Sequence, residues 1–408
     1  MAAMGSECTR DRRVRPRRNS AARSCYHRRV ALNIDELREK ARRRLPRAVF
    51  DFIDGAAEDE VTLRRNREAF DRYAVVPRVG IDVSSVDLTA SVLGQPVAAP
   101  LVLAPTGLCG MATSRGEVPS AKAAVEARIP CAVSCLSSVT IEEVAREAPG
   151  EHWFQLYVWK DRAVTQALVE RAAAHGYRVL VVTLDVPVLG QRERDVRNGA
   201  TIPPRLTVRN AIDTLRCPRW LWTIWRGPRV TFANVAAADP SVGLSPFALA
   251  PFVNSLFDPS VTWKDLEWMR RLWKGPVAVK GVMTAEDARL AVDNGADAVV
   301  VSNHGGRQLD GAPGSLDVLP EVVEAVGNRA EVLLDGGIRR GTDIAKALAL
   351  GARACLIGRA YLYGLAAAGQ VGVADAIRIL VAELRRAMAL MGCTRVTDLG
   401  RACIRPVK

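Results

Sequence analysis

The stretch Ser302-Asn-His-Gly-Gly-Arg-Gln-Leu-Asp310 gathers residue types that can do chemistry together. His304 can take up a proton near neutral pH, and Arg307 can grip a carboxylate through two parallel hydrogen bonds. Gly305 and Gly306 let a ligand approach the backbone. The chain has only four histidines, so one placed beside a fixed cation is a candidate general base. A surface histidine in an ordinary loop is the competing reading. The apolar run Ala298-Val-Val-Val301 precedes this stretch and the turn signal Asp310-Gly-Ala-Pro-Gly314 follows it. The group therefore sits where a buried strand runs out.

Other strand-like runs end the same way. Eight short β-rich segments are predicted: Leu101–Pro105, Cys131–Cys135, His152–Tyr157, Val179–Asp185, Val277–Gly281, Ala298–Asn303, Glu331–Gly337 and Ala354–Arg359. Helical patterns such as Ala285–Asn294 and Thr342–Leu350 separate them, with Gly295 and Gly351 placed as C-terminal caps. Buried, valine-rich strands alternating with helices predict an α/β fold, a (β/α)8 TIM barrel. A doubly wound sheet would want a Gly-x-Gly-x-x-Gly turn after its first strand, which Pro105-Thr-Gly-Leu-Cys-Gly110 does not supply.

A barrel brings all eight C-terminal strand ends to one mouth. Here they offer Thr106, Ser134, Gln155 with Tyr157, Thr183 with Asp185, Lys280, His304 with Arg307, Asp335-Gly-Gly337 and Gly358-Arg359. The glycine turns after the last two strands, Asp335-Gly-Gly-Ile-Arg-Arg-Gly341 and Gly358-Arg359, suit a phosphate held by backbone N–H groups and a helix N-terminus, with Arg359 adding charge. Flavin mononucleotide (FMN) fits the rest of the mouth. Gln155 and Ser134 can bond the amide edge of its ring, and Lys280 can stabilise the negative charge of the reduced flavin. A strand-end lysine reaching solvent is the bland reading of Lys280.

Composition narrows the class. Hydrophobic residues make up 49% and charged residues 25% of the 408, ordinary for a globular enzyme. No apolar run approaches the roughly 18 residues of a membrane-crossing helix. The net charge of +13 is concentrated. Residues 1–30 hold nine arginines against Glu7 and Asp11, so +7 lies there and +6 in the other residues. That segment reads as a basic, disordered, solvated tail ahead of a barrel domain over 31–408, with a transit-peptide-like leader or an unused upstream start as alternatives. No nucleic-acid partner is expected. The nine cysteines show no Cys-x-x-Cys pair, so no metal is expected and reduced thiols in a cytoplasmic setting are.

Between the fourth and fifth predicted strands runs a connection of about ninety residues, Val186 to Pro276. Loops of this length inside compact domains are usually functional or disordered. Residues 216–226 of it interleave Trp220, Trp222 and Trp225 with Arg216, Arg219 and Arg226. Tryptophan beside arginine suits a membrane–water interface and anionic headgroups. A helix whose tryptophans cover the barrel or a neighbouring subunit explains the same residues.

At this point the motifs match a known family. The chain resembles the FMN-dependent α-hydroxy-acid oxidases and dehydrogenases, such as glycolate oxidase, L-lactate dehydrogenase and mandelate dehydrogenase, over roughly residues 32 to 403. The match runs through Leu45-Pro-Arg-Ala-Val-Phe-Asp-Phe-Ile-Asp-Gly-Ala-Ala-Glu-Asp59, Ala104-Pro-Thr106, Phe154-Gln-Leu-Tyr157, Thr183-Leu-Asp185, Lys280-Gly281, Ser302–Asp310, Asp335-Gly-Gly-Ile-Arg339 and Gly358-Arg359. The resemblance implies a TIM barrel with an N-terminal helical extension and a long loop after strand 4. It implies an oxidoreductase that converts an L-2-hydroxy acid to the 2-oxo acid.

Roles follow residue by residue from the resemblance. FMN would contact Pro105, Thr106, Ser134, Gln155, Thr183, Lys280, Ser302, Asp335, Gly337, Arg339, Gly358 and Arg359. His304 would be the base, Asp185 its partner, Tyr157 the donor to the developing alkoxide or ketone oxygen, and Arg307 and Arg192 the carboxylate clamp. Electrons would pass to quinone or oxygen, with possible peripheral membrane contact through 216–226 on the inner face of the membrane, and the assembly would be a homotetramer.

The family usually carries tyrosine where this chain has Phe52. Losing that hydrogen bond to a charged carboxylate costs about 1.5–3 kcal/mol unless another donor compensates. Phe52 therefore implies either weaker binding of small 2-hydroxy acids or a pocket for a larger, more apolar or aromatic one. Leu136 and Gly107, at pocket-lining positions by resemblance, favour the second, a mandelate-like or longer-chain acid beside lactate. An FMN-dependent isomerase or another phosphate-binding barrel enzyme would explain the glycine turns. It would not explain His304 and Arg307 together with Asp185 and Arg192. A non-catalytic binding protein would predict that the catalytic residues are lost.

Overall fold

The computed structural model describes residues 31–198, 208–238 and 257–407. Eight parallel strands close into a barrel: β1 (Leu101–Thr106), β2 (Cys131–Ser134), β3 (His152–Leu156), β4 (Val179–Thr183), β5 (Val277–Val282), β6 (Ala298–Val301), β7 (Glu331–Asp335) and β8 (Ala354–Ile357). Each pairs with its sequence neighbours, and β8 closes onto β1. All eight predicted segments are strands, displaced by a few residues at their ends. The expected TIM barrel is the fold.

Side-chain size along the strands explains why the barrel closes. Alternate residues face inward, and many are small: Ala104, Ala132, Ala278, Ala298 and Ala354, with valines and leucines between them. The other alternation, including Leu103, Phe154, Leu180, Val279 and Val299, packs outward against the helices. The short hairpin Ala90–Val92 and Gln95–Val97 contributes Val92, Leu93 and Val97 to the inner cluster. It is tied at the strand starts by Trp153 Nε1 donating to Gln95 Oε1 at 2.7 Å and by Leu93 N donating to Glu331 at 2.9 Å. It therefore plugs the end of the barrel opposite the mouth.

Three helices precede the barrel: α1 (Ile34–Arg44), α2 (Arg47–Asp54) and α3 (Val61–Asp71). Asn33 caps α1 by accepting from Glu36 N at 2.8 Å, with acids in its first turn and Arg42, Arg43 and Arg44 in its last. Pro46 precedes α2 and Gly55 ends it. The α2 helix buries Val49, Phe50 and Ile53, and it also buries Asp51 and Asp54. At the other end of the chain Ile404–Pro406 pairs antiparallel with Tyr73–Val75, which ties the C-terminal end to the segment that follows α3.

The long connection after β4 contains helices Glu193–Arg197, Val208–Leu215, Pro218–Arg226 and Ala233–Ala238 among its described residues. Both readings of 216–226 have a place. Trp220 packs on the core cluster and its Nε1 donates to Met111 O at 2.8 Å, while Trp222 and Trp225 are 53% and 75% exposed. Arg226 lies 4.0 Å over the Trp222 ring. No helix among the described residues is long and apolar enough to cross a membrane. The basic segment 1–30 lies outside the described residues.

Candidate active site

Polar residues at successive strand ends bond sideways around the barrel mouth. On one side Ser134 Oγ donates to Gln155 Oε1 at 2.7 Å, and Gln155 Nε2 donates to Thr183 Oγ1 at 3.1 Å, joining β2, β3 and β4. On the other side Lys280 Nζ donates to Ser302 Oγ at 2.9 Å and meets Asp335 Oδ2 at 2.9 Å, and Ser302 Oγ donates to Asp335 at 2.8 Å. All six side chains are buried. Burial alone would lower the Lys280 pKa, but Asp335 and then Asp185 override it and raise it, so the ammonium is kept. A register shift between β5 and β6 falls at Lys280 and Val282, beside Gly281, whose φ is +106°. A side chain at Gly281 would put its Cβ 2.6 Å from Asp185 Cβ. Glycine is needed there for Asp185 to approach.

His304 is held from two sides. Its Nδ1 lies 2.9 Å from Asp185 Oδ1, and its backbone N–H donates to Ser302 Oγ at 3.1 Å. Burial pushes the Asp185 pKa up, but the charge of and bond from His304, and then Lys280, outweigh it and hold the carboxyl below its usual range. A carboxylate on Nδ1 orients the ring and leaves Nε2 as the working nitrogen. Tyr157 Oη lies 3.5 Å from that Nε2. Burial, then the Asp185 charge, push the Tyr157 phenol well above its ordinary value, so it is a donor at neutral pH. His304, Gly305 and Gly306 follow one another with φ of 57°, 64° and 75°. Only glycine adopts that left-handed region freely, so the two glycines serve the turn that projects His304. The buried side chains of Asn66 on α3 and Asn303 pin this turn by bonding each other at 2.8 and 2.9 Å.

Two arginines flank the Phe52 ring, Arg192 Cζ at 5.6 Å and Arg307 Cζ at 5.2 Å from its centroid. Arg307 Nη1 donates to the carbonyls of Phe52 and Gly55 at 2.8 and 3.0 Å. Among the described residues no acceptor is bonded to its Nε–H or Nη2 hydrogens, which form a side-on fork that matches a carboxylate. Burial, then Arg192 and Arg359, lower the Arg307 pKa well below its ordinary value. A desolvated cation beside like charges gains most from an anionic ligand. Arg192 also pairs with Asp195 at 3.0 Å.

The glycine turns after β7 and β8 border the same cleft, with Gly336, Gly337, Arg339, Gly358 and Arg359 in its wall. Arg359 donates to the carbonyls of Ile53, Asp54, Gly305 and Gly55 between 2.7 and 3.2 Å, leaving two of its N–H groups. It opens the helix Arg359–Ala368, and a helix N-terminus suits an anion. The cleft is open to solvent. A cation pair at one end, a buried lysine and amide row along the floor, and room between them fit FMN. Among the described residues no cluster of three His, Cys, Asp or Glu side chains could hold a metal ion.

Every site residue expected from the sequence gathers at this mouth. Phe52, Pro105, Thr106, Ser134, Tyr157, Arg192, Lys280, His304, Arg307, Asp335, Gly337, Arg339, Gly358 and Arg359 line the cleft, as do Gly107 and Leu136. Asp185 is bonded to a lining residue, and Gln155, Thr183 and Ser302 belong to the strand-end networks. Sequence reasoning missed Leu189, Phe232 and Phe257 in the cleft wall. All three come from the long connection, where an isolated apolar residue carries no periodic signal. Phe257 meets Tyr157 edge-on at 5.1 Å. The buried Asp54 was missed as well.

A family model described as FMN-dependent dehydrogenase matches residues 41–406. The chain belongs to the FMN-dependent dehydrogenase family. Its relatives include a putative L-lactate dehydrogenase of Mycobacterium tuberculosis, 46% identical over 91% of this chain and 88% of that one. An L-lactate oxidase of Nostoc is 48% identical over 90% of this chain and 96% of its own. Among solved structures, the monotopic membrane protein (S)-mandelate dehydrogenase superposes with a TM-score of 0.88 at 40% identity, covering 92% of this chain and all of that one. The family makes the protein an FMN-dependent oxidoreductase.

Proposed function

We propose that the protein oxidises an L-2-hydroxy acid to the 2-oxo acid, with His304 as the base. The observation that carries this reading is the juxtaposition of the His304–Asp185 pair, at 2.9 Å, with the unfilled donors of Arg307 in one cleft. Bound FMN supplies the two-electron sink. Arg307 and Arg192 hold the substrate carboxylate, and Tyr157 donates to the oxygen on the reacting carbon. His304 Nε2 takes the proton, and Asp185 stabilises the imidazolium that results. Arg359, Arg339 and the turns at Gly337 and Gly358 would hold the FMN phosphate. Pro105, Thr106, Ser134, Gln155, Thr183, Lys280, Ser302 and Asp335 would contact the rest of the cofactor.

The substrate is larger than glycolate. Leu136, Leu189, Phe232 and Phe257 form an apolar wall in the cleft, and Gly107 packs closely on Leu136, where a Cβ would come within 3.1 Å. Phe52 cannot donate to the carboxylate, so side-chain burial must contribute more of the affinity. Each buried CH2 contributes about 0.8 kcal/mol. The electron acceptor is a quinone reached at a membrane surface, a reading supported by the exposed Trp222, Trp225 and Arg226.

Purified protein should be yellow and should bleach anaerobically with 2-hydroxy acids, mandelate ahead of lactate and lactate ahead of glycolate in kcat/KM. His304→Gln should keep its flavin and lose bleaching rate by about 10²–10⁴-fold. Normal bleaching in that variant rules out His304 as the base. A yellow protein that no hydroxy acid bleaches points to an isomerase instead.

A further inference from the structure

We propose that Asp54 is a positioning residue that sets the phosphate-end and carboxylate-end arginines together, an inference that rests on the cleft's proposed use. The last carbonyls of a helix lack intrahelical partners and carry its negative dipole end. In α2 those carbonyls are filled by two of the cleft's arginines. Arg307 takes Phe52 O and Gly55 O, and Arg359 takes Ile53 O, Asp54 O and Gly55 O. Gly55 O serves both, at 3.0 Å and 2.7 Å. The ring of Phe52 lies between Arg307 and Arg192. The tetrapeptide 52–55 is thus the shared seat of three cleft cations.

Asp54 fixes that seat from behind. Its carboxylate accepts from Arg38 at 2.6 and 2.8 Å, from Arg194 at 3.1 Å and from Tyr363 Oη at 2.7 Å. Tyr363 lies one turn along the helix that Arg359 opens, and Arg194 lies two residues beyond Arg192. Arg194 also bonds Glu60 at the start of α3. One carboxylate therefore ties the carbonyl turn to the segments that carry Arg192 and Arg359. Asp54 itself does not line the cleft. If the turn shifts, both arginines lose their acceptors at once, so two ligands that never touch Asp54 should weaken together.

The test measures the FMN dissociation constant of apoprotein by fluorescence quenching, and oxalate binding to holoenzyme by flavin absorbance. Asp54→Asn should weaken FMN about tenfold and oxalate about fivefold, and raise the hydroxy-acid KM alongside oxalate while kcat stays within twofold. Asp54→Glu should recover part of both losses. Glu142→Gln breaks a comparable ion pair with Arg171 remote from the cleft. It should lower Tm and move neither affinity. Should Asp54→Asn not fold, Arg194→Gln leaves Arg38 and Tyr363 in place and should weaken both ligands about threefold. Unchanged affinity for either ligand in a folded variant overturns the proposal, as does a fall in kcat at constant KM. Failure of the hydroxy-acid reading shows separately, as wild-type holoenzyme that no 2-hydroxy acid bleaches, because the FMN and oxalate measurements need no turnover.

Discussion

Phe52 holds its ring between two guanidiniums, at 5.6 and 5.2 Å, and such cation–π contacts contribute about 0.5–2 kcal/mol each. The ring lies between the two guanidiniums of the proposed carboxylate clamp and offers a carboxylate no hydrogen bond of its own. Phe52→Tyr adds a donor there, worth about 1.5–3 kcal/mol to a charged acceptor. The variant should lower KM for lactate by roughly tenfold or more and narrow the preference for mandelate, as measured by steady-state kinetics on both acids. An unchanged KM would show that the position 52 hydroxyl does not reach the carboxylate. His304, Arg307, Asp185 and Lys280 were legible in the sequence because their chemistry is written in residue type and in a place after a β-rich run. Asp54 was not. Its function lies in contacts with Arg38, Arg194 and Tyr363, the last 309 positions away, and nothing local marks it.

At the scale of elements, α2 and the helix Pro218–Arg226 do the most that strands do not. In α2 the Asp54 carboxyl is held down to about 2; burial opposes ionisation, and the bonds from Arg38 and Tyr363 outweigh it. A carboxyl depressed in the folded state stabilises above its unfolded value near 4 and loses that stabilisation as pH falls toward 2. The full contribution is on the order of 2 kcal/mol at neutral pH. The Tm gap between wild type and Asp54→Asn should therefore be widest above pH 5 and narrow by roughly half at pH 3. A gap that stays constant with pH would mean that the Asp54 charge contributes nothing. The helix Pro218–Arg226 exposes Trp222 and Trp225 while Trp220 anchors it. Replacing both exposed tryptophans with alanine should reduce co-sedimentation with anionic vesicles by about tenfold and leave the flavin spectrum unchanged. Retained binding would place the membrane contact elsewhere. Strand identity was readable because fully buried runs need valine and alanine whatever their neighbours. The importance of the α2 carbonyls was not, because a helix end becomes a cation seat only when distant arginines reach it.

For the whole molecule, the cleft draws on all eight strands: its two strand-end networks run through β2–β4 and β5–β7, and Thr106 and Gly358 line it from the ends of β1 and β8. The basic segment 1–30 carries more than half of the net charge. We propose that it stands apart from the barrel domain over 31–408. Deleting residues 1–30 should leave FMN content, kcat and KM within twofold, checked by flavin absorbance and steady-state assay. Loss of flavin on deletion would make the segment part of the fold.

The sequence by itself determined the barrel, the cofactor class and the chemistry of the strand ends. Those follow from hydrophobic runs, glycine turns and residue types that keep their meaning in any fold. Tertiary structure alone decided which side chains share a hydrogen bond. It seated Arg307 and Arg359 on the carbonyls of one turn, and it set Gly281 where Asp185 approaches His304, a pairing that the resemblance had already implied. Contacts made across hundreds of residues obey chain closure and packing, and no local pattern encodes them.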